Sequence, residues 1–186
     1  MKPTARISIF LISVVLLVGC ATGWGRVDDS GRYYKGKYYN ATLPLGWMRM
    51  QSGETLTLSR DGIDLQRIVI EYRPHDKAFE GIEKSSSESM LPSELAELTI
   101  AELKASQDEG WPSLEVLVNE PVKITGHTGY GLHLRFKTDE GLRIDVLLRG
   151  FVDEDGLYLV MYRAPTLHYF ERDRTVYESI AGSLKL

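Results

Sequence analysis

The 186-residue chain has one cysteine, and its position constrains what the rest can fold into. Cys20 stands directly behind an apolar run, Ile7 to Val18, interrupted only by Ser8 and Ser13 and preceded by the cations Lys2 and Arg6. A positive start, a short apolar stretch and a small residue at Gly19 are the layout of a secretory signal peptide. The run is too short to cross a bilayer, which takes about 20 apolar residues. A core helix with Cys20 as a buried thiol would leave the two leading cations unexplained. Residues 1–19 are therefore expected to be removed, and the fold belongs to what remains. With a single cysteine no intrachain disulfide can form, so a domain in an oxidising compartment must be held by its core alone.

Leu17-Val18-Gly19-Cys20 resembles the lipobox of bacterial lipoproteins. The resemblance implies a diacylglyceryl group on the Cys20 thiol, cleavage between Gly19 and Cys20, and attachment to a membrane through the acyl chains on Cys20. Several chains anchor firmly where a single one binds marginally. Ala21 replaces the Asp that retains such proteins at the inner membrane, so the resemblance implies the outer membrane, on its periplasmic face. With Cys20 consumed by lipid, no thiol remains for catalysis or metal binding.

Acidic residues outnumber basic ones 26 to 22, and losing Lys2 and Arg6 takes the net charge from −4 to about −6. That balance argues against nucleic acid, which requires a clustered basic surface, and against electrostatic adhesion to anionic lipid. Residues 20–36 are rich in Gly and polar side chains without a sustained period and read as a lipidated cysteine followed by a flexible tether. Residues 37–186 then read as one domain.

Lys37 to Leu43 has strand composition and ends at Pro44-Leu45-Gly46, a turn followed by the apolar anchor Trp47. Leu56 to Ser59 and Leu65 to Tyr72 are two further strands around Arg60-Asp61-Gly62, a hairpin signal. Pro74 to Ser89 is polar and reads as an exposed loop. A helix follows, with Pro92 just outside, Ser93 as cap and Leu95, Leu98 and Leu103 at helical spacing. Five more strands are expected: Leu114 to Val118, Val122 to Thr125, Tyr130 to Thr138, Leu142 to Val152 and Leu157 to Ala164. Pro165-Thr166 opens a final helix whose inward stripe is Phe170, Val176, Tyr177, Ile180 and Leu184. Strands, a helix, antiparallel strands and a helix in that order specify an α+β fold, a mainly antiparallel sheet covered by helices.

The early strand running into Pro44-Leu45-Gly46-Trp47, the late hairpins ending in Tyr162-Arg163-Ala164 and the closing Ile180-Ala181-Gly182-Ser183-Leu184 are similar to the PsbP-like superfamily. The resemblance covers residues 37–186. It implies an α/β/α sandwich and a non-enzymatic binding or assembly role, and it transfers no catalytic residue.

The chemistry-bearing residues form no constellation. His75, His127, His133 and His168 lack the spacing of a zinc site. His133, between Leu132 and Leu134, is expected on a solvated strand face, and His168 with Glu171 reads as a surface pair one helical turn apart. No G-x-S-x-G elbow exists. Gly126 to Gly131 leads into a strand, so it reads as a β-turn rather than a phosphate cradle. Catalytic residues, metals and cofactors are therefore assigned to none.

The aromatic pairs Tyr33, Tyr34 and Tyr38, Tyr39, beside Arg32, Lys35 and Lys37, are the candidate partner surface, because one member of a consecutive strand pair must point outward. β-Propensity with partial packing accounts for them as well. The Pro74 to Ser89 loop is a second candidate surface. The leading reading is a lipid-anchored envelope module that binds an envelope protein partner. Its alternative is a small-ligand-binding lipoprotein with a pocket between sheet and helix near Trp47 or Trp111. An enzyme is the third reading.

Overall fold

Strand alternation divides the apolar residues between the two faces of one large sheet, and a separate roof covers each face. The computed structural model describes residues 23–106, 111 and 113–186. Leu17, Val18, Gly19 and Cys20 lie outside the described residues. The early strands are β1 (Trp24–Arg26), β2 (Tyr33–Lys35), β3 (Asn40–Thr42), β4 (Met48–Ser52), β5 (Thr55–Ser59) and β6 (Arg67–Pro74). Helix α1 (Pro92–Ala105) follows, then β7 (Glu115–Ile124), β8 (His127–Lys137), β9 (Arg143–Val152), β10 (Gly156–Pro165) and helix α2 (Glu171–Ser183).

Eight strands form an antiparallel sheet in the order β1-β4-β5-β6-β10-β9-β8-β7, and β2 and β3 make a separate ribbon. On one face Leu56, Leu58, Ile68, Ile70 and Tyr162 are buried under Tyr177 and Ile180 of α2 and Ala41 of the ribbon. On the other, Leu132, Leu134, Phe136, Val146 and Leu148 lie under Leu95 and Ala96 of α1 and under Phe79. The result is the expected mainly antiparallel α/β/α sandwich. Truncating any of these core leucines to Ala is worth about 2–5 kcal/mol.

The tether expectation is corrected. Trp24–Arg26 pairs with Met48–Met50 at the sheet edge, and Tyr33–Lys35 pairs with Asn40–Thr42. Between them Val27 is 1% exposed and its amide donates to the Trp47 carbonyl at 2.8 Å. Gly and polar residues here serve turns: Asp28 accepts from the Gly31 amide and from Ser30 Oγ. Composition could not show that two isolated buried residues, Val27 and Tyr34, fasten the segment.

Other boundaries move for local reasons. The expected strand over Lys37 to Leu43 contracts to Asn40–Thr42, and an unexpected strand, Met48–Ser52, follows Trp47. The two strands expected over 114–125 are one ten-residue strand that tolerates Pro121 because it lies at the sheet edge. The turn expected over Gly126 to Gly131 contracts to Thr125 and Gly126, both at positive φ as a type I′ hairpin requires, and His127 already opens β8. Leu91, not Ser93, caps α1; Pro92 occupies the first helical position, and Glu94 accepts from the Leu91 amide at 2.9 Å. The final helix begins at Glu171 rather than at Thr166, because Leu167 is extended and His168 has φ +70°.

Candidate binding surfaces

The four tyrosines expected to form one surface are split by the ribbon's two faces. Tyr33 is 70% exposed, whereas Tyr34 and Tyr39 are buried core residues. The Tyr39 hydroxyl donates toward the Ile70 carbonyl at 3.1 Å, and burial raises its pKa. Tyr38 is half-buried and stacks on Tyr72 with ring centroids 3.6 Å apart. Tyr72 in turn donates to the Asp155 carbonyl at 2.9 Å, and desolvation together with the neighbouring Tyr38 pushes its pKa up to about 12. Tyr33, Tyr34 and Lys35 line an open depression of 470 Å³ floored by Gly25, Gly31 and Arg49.

The 74–89 segment is also less free than expected. Ala78 and Phe79 are fully buried, and His75 joins Ser86 Oγ (2.8 Å) to the Asp153 carbonyl (3.1 Å), which pins the segment against the β9–β10 turn. Arg73 adds a clasp, donating to the Ala78 carbonyl and to the carboxylates of Glu71 and Glu102. Trp47 and Trp111 are both buried and neither lines a described cavity.

The side chains that the structure does bring together are His133, Arg135, Asp145 and Thr166, a group with no signal in sequence spacing because it joins β8, β9 and the segment after β10. Asp145 is 0% exposed. Its carboxylate accepts from His133 Nε2 at 2.7 Å, from Arg135 Nη2 at 2.9 Å and from the Thr166 hydroxyl. Burial pushes its pKa up, but these donors outweigh burial and hold it below the ordinary value. His133 is thus no solvated strand residue: it pairs with a buried carboxylate and stacks against Phe170 at 5.3 Å.

This cluster fixes the chain between β10 and α2. The Tyr162 hydroxyl donates to the carbonyl of Tyr169 at 2.8 Å and shares itself with that of Phe170 at 3.2 Å. Phe170 is buried, Thr166 is tied to Asp145, and between them Leu167 projects with 81% of its surface exposed. His168 and Glu171, expected one helical turn apart, are separated by this non-helical stretch. Leu167 thus stands on a fixed loop whose ends are anchored in the core, and positive φ at His168 shapes that loop.

The neighbouring surface is of mixed character. Val118 pairs with His133, and Val118, Val122, Leu147 and Tyr177 line a shallow groove of 160 Å³ between β7–β9 and α2. Its polar rim carries Glu120, Arg174 and the Arg149–Glu178 ion pair (2.6 Å). Val116 and Leu117 are exposed beside it, at the bulge between Val116 and Val118.

A second buried carboxylate, Asp173, is structural. Arg60 lies 2.9 Å from it and Arg172 2.6 Å, and Arg172 also pairs with Asp61. Asp173 Oδ1 faces Arg60 as an ion pair without a hydrogen bond, and the nearby Gln66 Oε1 accepts none either. Among the described residues, no three His, Cys, Asp or Glu side chains converge on a metal position. No described helix is long and apolar enough to cross a membrane.

Solved structures share this architecture. Cyanobacterial PsbP from Synechocystis sp. PCC 6803 superposes with a TM-score of 0.58 at 13% identity, over 87% of this chain and 98% of its own. The fold is PsbP-like. The Ran-binding protein Mog1p of Saccharomyces cerevisiae aligns over 87% of this chain and 93% of its own, with a TM-score of 0.52 and 8% identity. A Bacteroides thetaiotaomicron VPI-5482 protein aligns over 83% of this chain with a TM-score of 0.52 and 11% identity, but this chain spans only 47% of its length. At these identities the likeness shows the PsbP-like fold and not a shared activity. No family model matches the chain, and no curated protein sequence matches it either.

Proposed function

We propose that the protein is a non-enzymatic binding module of the bacterial envelope, cleaved after Gly19, lipid-anchored through Cys20 at the periplasmic face of the outer membrane, and directed at a protein partner. The observation that carries the partner reading is Leu167: a large aliphatic side chain, 81% exposed, on a loop immobilised at both ends by Asp145 and Tyr162. Preorganised apolar side chains of this kind suit protein recognition, because little conformational entropy is lost when they are covered. The surface therefore lies at the β7–β9 side of the sheet rather than at Tyr33, Tyr34, Tyr38 and Tyr39. Mog1p, named for binding Ran, gives the same fold a protein-recognition role in another setting. The small-ligand alternative calls for a pocket between sheet and helix: the groove beside α2, at 160 Å³, falls below the roughly 300–1,000 Å³ of ordinary ligand pockets, and the 470 Å³ depression at Tyr33 lies between the ribbon and the sheet edge rather than under a helix.

The test is cross-linking of the lipidated protein in native envelopes, wild type against Leu167→Glu and Tyr33→Ala. A discrete adduct lost in Leu167→Glu and kept in Tyr33→Ala is the expected result. An adduct indifferent to Leu167 overturns the assignment of the surface. Release of Cys20→Ala from the membrane fraction checks the anchor separately.

A further inference from the structure

Incorporating residues 24–35 into the fold leaves almost no chain between Cys20 and the sheet. Trp24 opens β1, and four peptide steps span at most about 14 Å. The edge of the domain that carries β1 is therefore confined close to whatever holds Cys20.

That edge leads onto a strip of sheet with an unusual surface. Register places Trp24 beside Met50, Met50 beside Thr57, Thr57 beside Val69 and Val69 beside Met161, one row crossing five strands on the face of α1. All five side chains are only half-buried. Helix α1 packs over β7, β8 and β9, at the far end of the same face. Beside the row, Ile63 (41% exposed) and Leu65 (39%) project from the β5–β6 connection. Trp24, Met48 and Ile63 share a depression of 250 Å³. Charges border the row rather than enter it: Arg26 and Asp64 are exposed, register puts Arg67 and Arg163 in the adjoining row, and Arg60, which lines the depression, is paired with Asp61 and Asp173.

We infer that this strip, centred on Trp24, Ile63 and Leu65, is a lipid-contacting surface that lays the β1 edge on the bilayer carrying the Cys20 acyl chains. The inference rests on the lipid anchor proposed above. Three features select a bilayer as the occupant: the short reach from Cys20, an apolar row that begins at the residue nearest the anchor, and a tryptophan whose ring and N–H suit the interfacial zone. Because the row itself carries no charged side chain, the contact is apolar insertion rather than attraction to anionic headgroups.

The experiment uses the full lipidated protein in phosphatidylethanolamine–phosphatidylglycerol vesicles whose acyl chains are brominated. The Trp24 contribution to fluorescence is the difference between wild type and Trp24→Phe. Loss of most of that contribution in brominated vesicles, unchanged at high salt, is the expected result. The Ile63→Asp/Leu65→Asp variant, altered only at exposed positions, should regain the emission. Acylated protein whose Trp24 emission ignores the brominated chains overturns the inference while leaving the anchor intact. A Cys20 peptide without acyl mass overturns the anchor and the inference together. Quenching abolished by salt overturns apolar insertion as the mode of contact.

Discussion

At one end of the sheet the edge is β1, three residues long, carried by the chain nearest Cys20 and bordered by a face that α1 does not cover. At the other end the edge is β7, ten residues long, backed by α1 on one face and by the groove beneath α2 on the other. The two edges differ in how they avoid pairing with foreign strands. A three-residue edge offers too short a ladder to template another chain. The long edge carries Pro121, which has no amide hydrogen to donate, and a bulge at Leu117 that breaks the ladder's regularity. Seven inter-strand spacings, about 33 Å along the sheet, separate them. The contrast fits a module fastened at one edge that presents its working surface at the other.

The largest effect that could break this comparison is expected at the presenting end. Asp145→Ala removes the buried anion that His133, Arg135 and Thr166 share, and should cost about 3–5 kcal/mol in urea unfolding. It should also make the Leu167 loop sensitive to proteolysis under native conditions, and a loop that stays protected would show that it is not held by Asp145. The same residue sets a pH response. Its folded pKa is lowered, so its stabilisation is present above the ordinary aspartate value of 3.8 and is lost as pH falls through the lower folded value. Acid titration of unfolding should show this component weakened in Asp145→Asn.

At the β1 end the expected effect is smaller. Val27→Ala removes two buried methyl groups and should destabilise by about 2 kcal/mol. A true tether would show no change by chemical denaturation, which makes this substitution the direct measure of whether β1 belongs to the domain. Pro121→Val should leave stability within about 0.5 kcal/mol but restore an amide donor to the long edge. Light scattering should then report self-association, and a variant that stays monomeric would show that the bulge at Leu117 alone protects the edge. Glu178→Gln should cost only about 0.2–1 kcal/mol in urea unfolding, since its pairing with Arg149 is partly solvated.

The sheet, the helices and their order were legible because period-2 alternation in segments such as Leu132 to Phe136 and helical spacing around Leu95 are local signals. The same locality explains the errors. A one-residue apolar fastening such as Val27 leaves no periodicity, so the segment around it reads as linker. His133 alternates as a solvent-facing residue should, but the segment carrying Phe170 folds back over it from 37 residues away. The candidate surface escaped for a related reason: Leu167 falls inside a helix that reads as opening at Pro165-Thr166, until Thr166 is captured by Asp145 and the helix start is displaced to Glu171. Tyr34 and Tyr39 were chosen for an aromaticity that their burial puts to structural use.

One modest feature bears on when the molecule can assemble. The ribbon strand β3 is closed by residues from the opposite end of the chain: Asn40 exchanges backbone hydrogen bonds with Lys185, at 2.7 and 3.0 Å, and the Thr42 amide donates to Ser183 Oγ at 2.9 Å. The N-terminal third is synthesised first, yet it has no partner for this ladder until residues 183–185 have followed. Completion of the domain therefore waits for those residues. Until then the ribbon, Val27 and the short edge strand are held only by the hairpins already formed, and they are the parts of a nascent chain most open to chaperones and proteases.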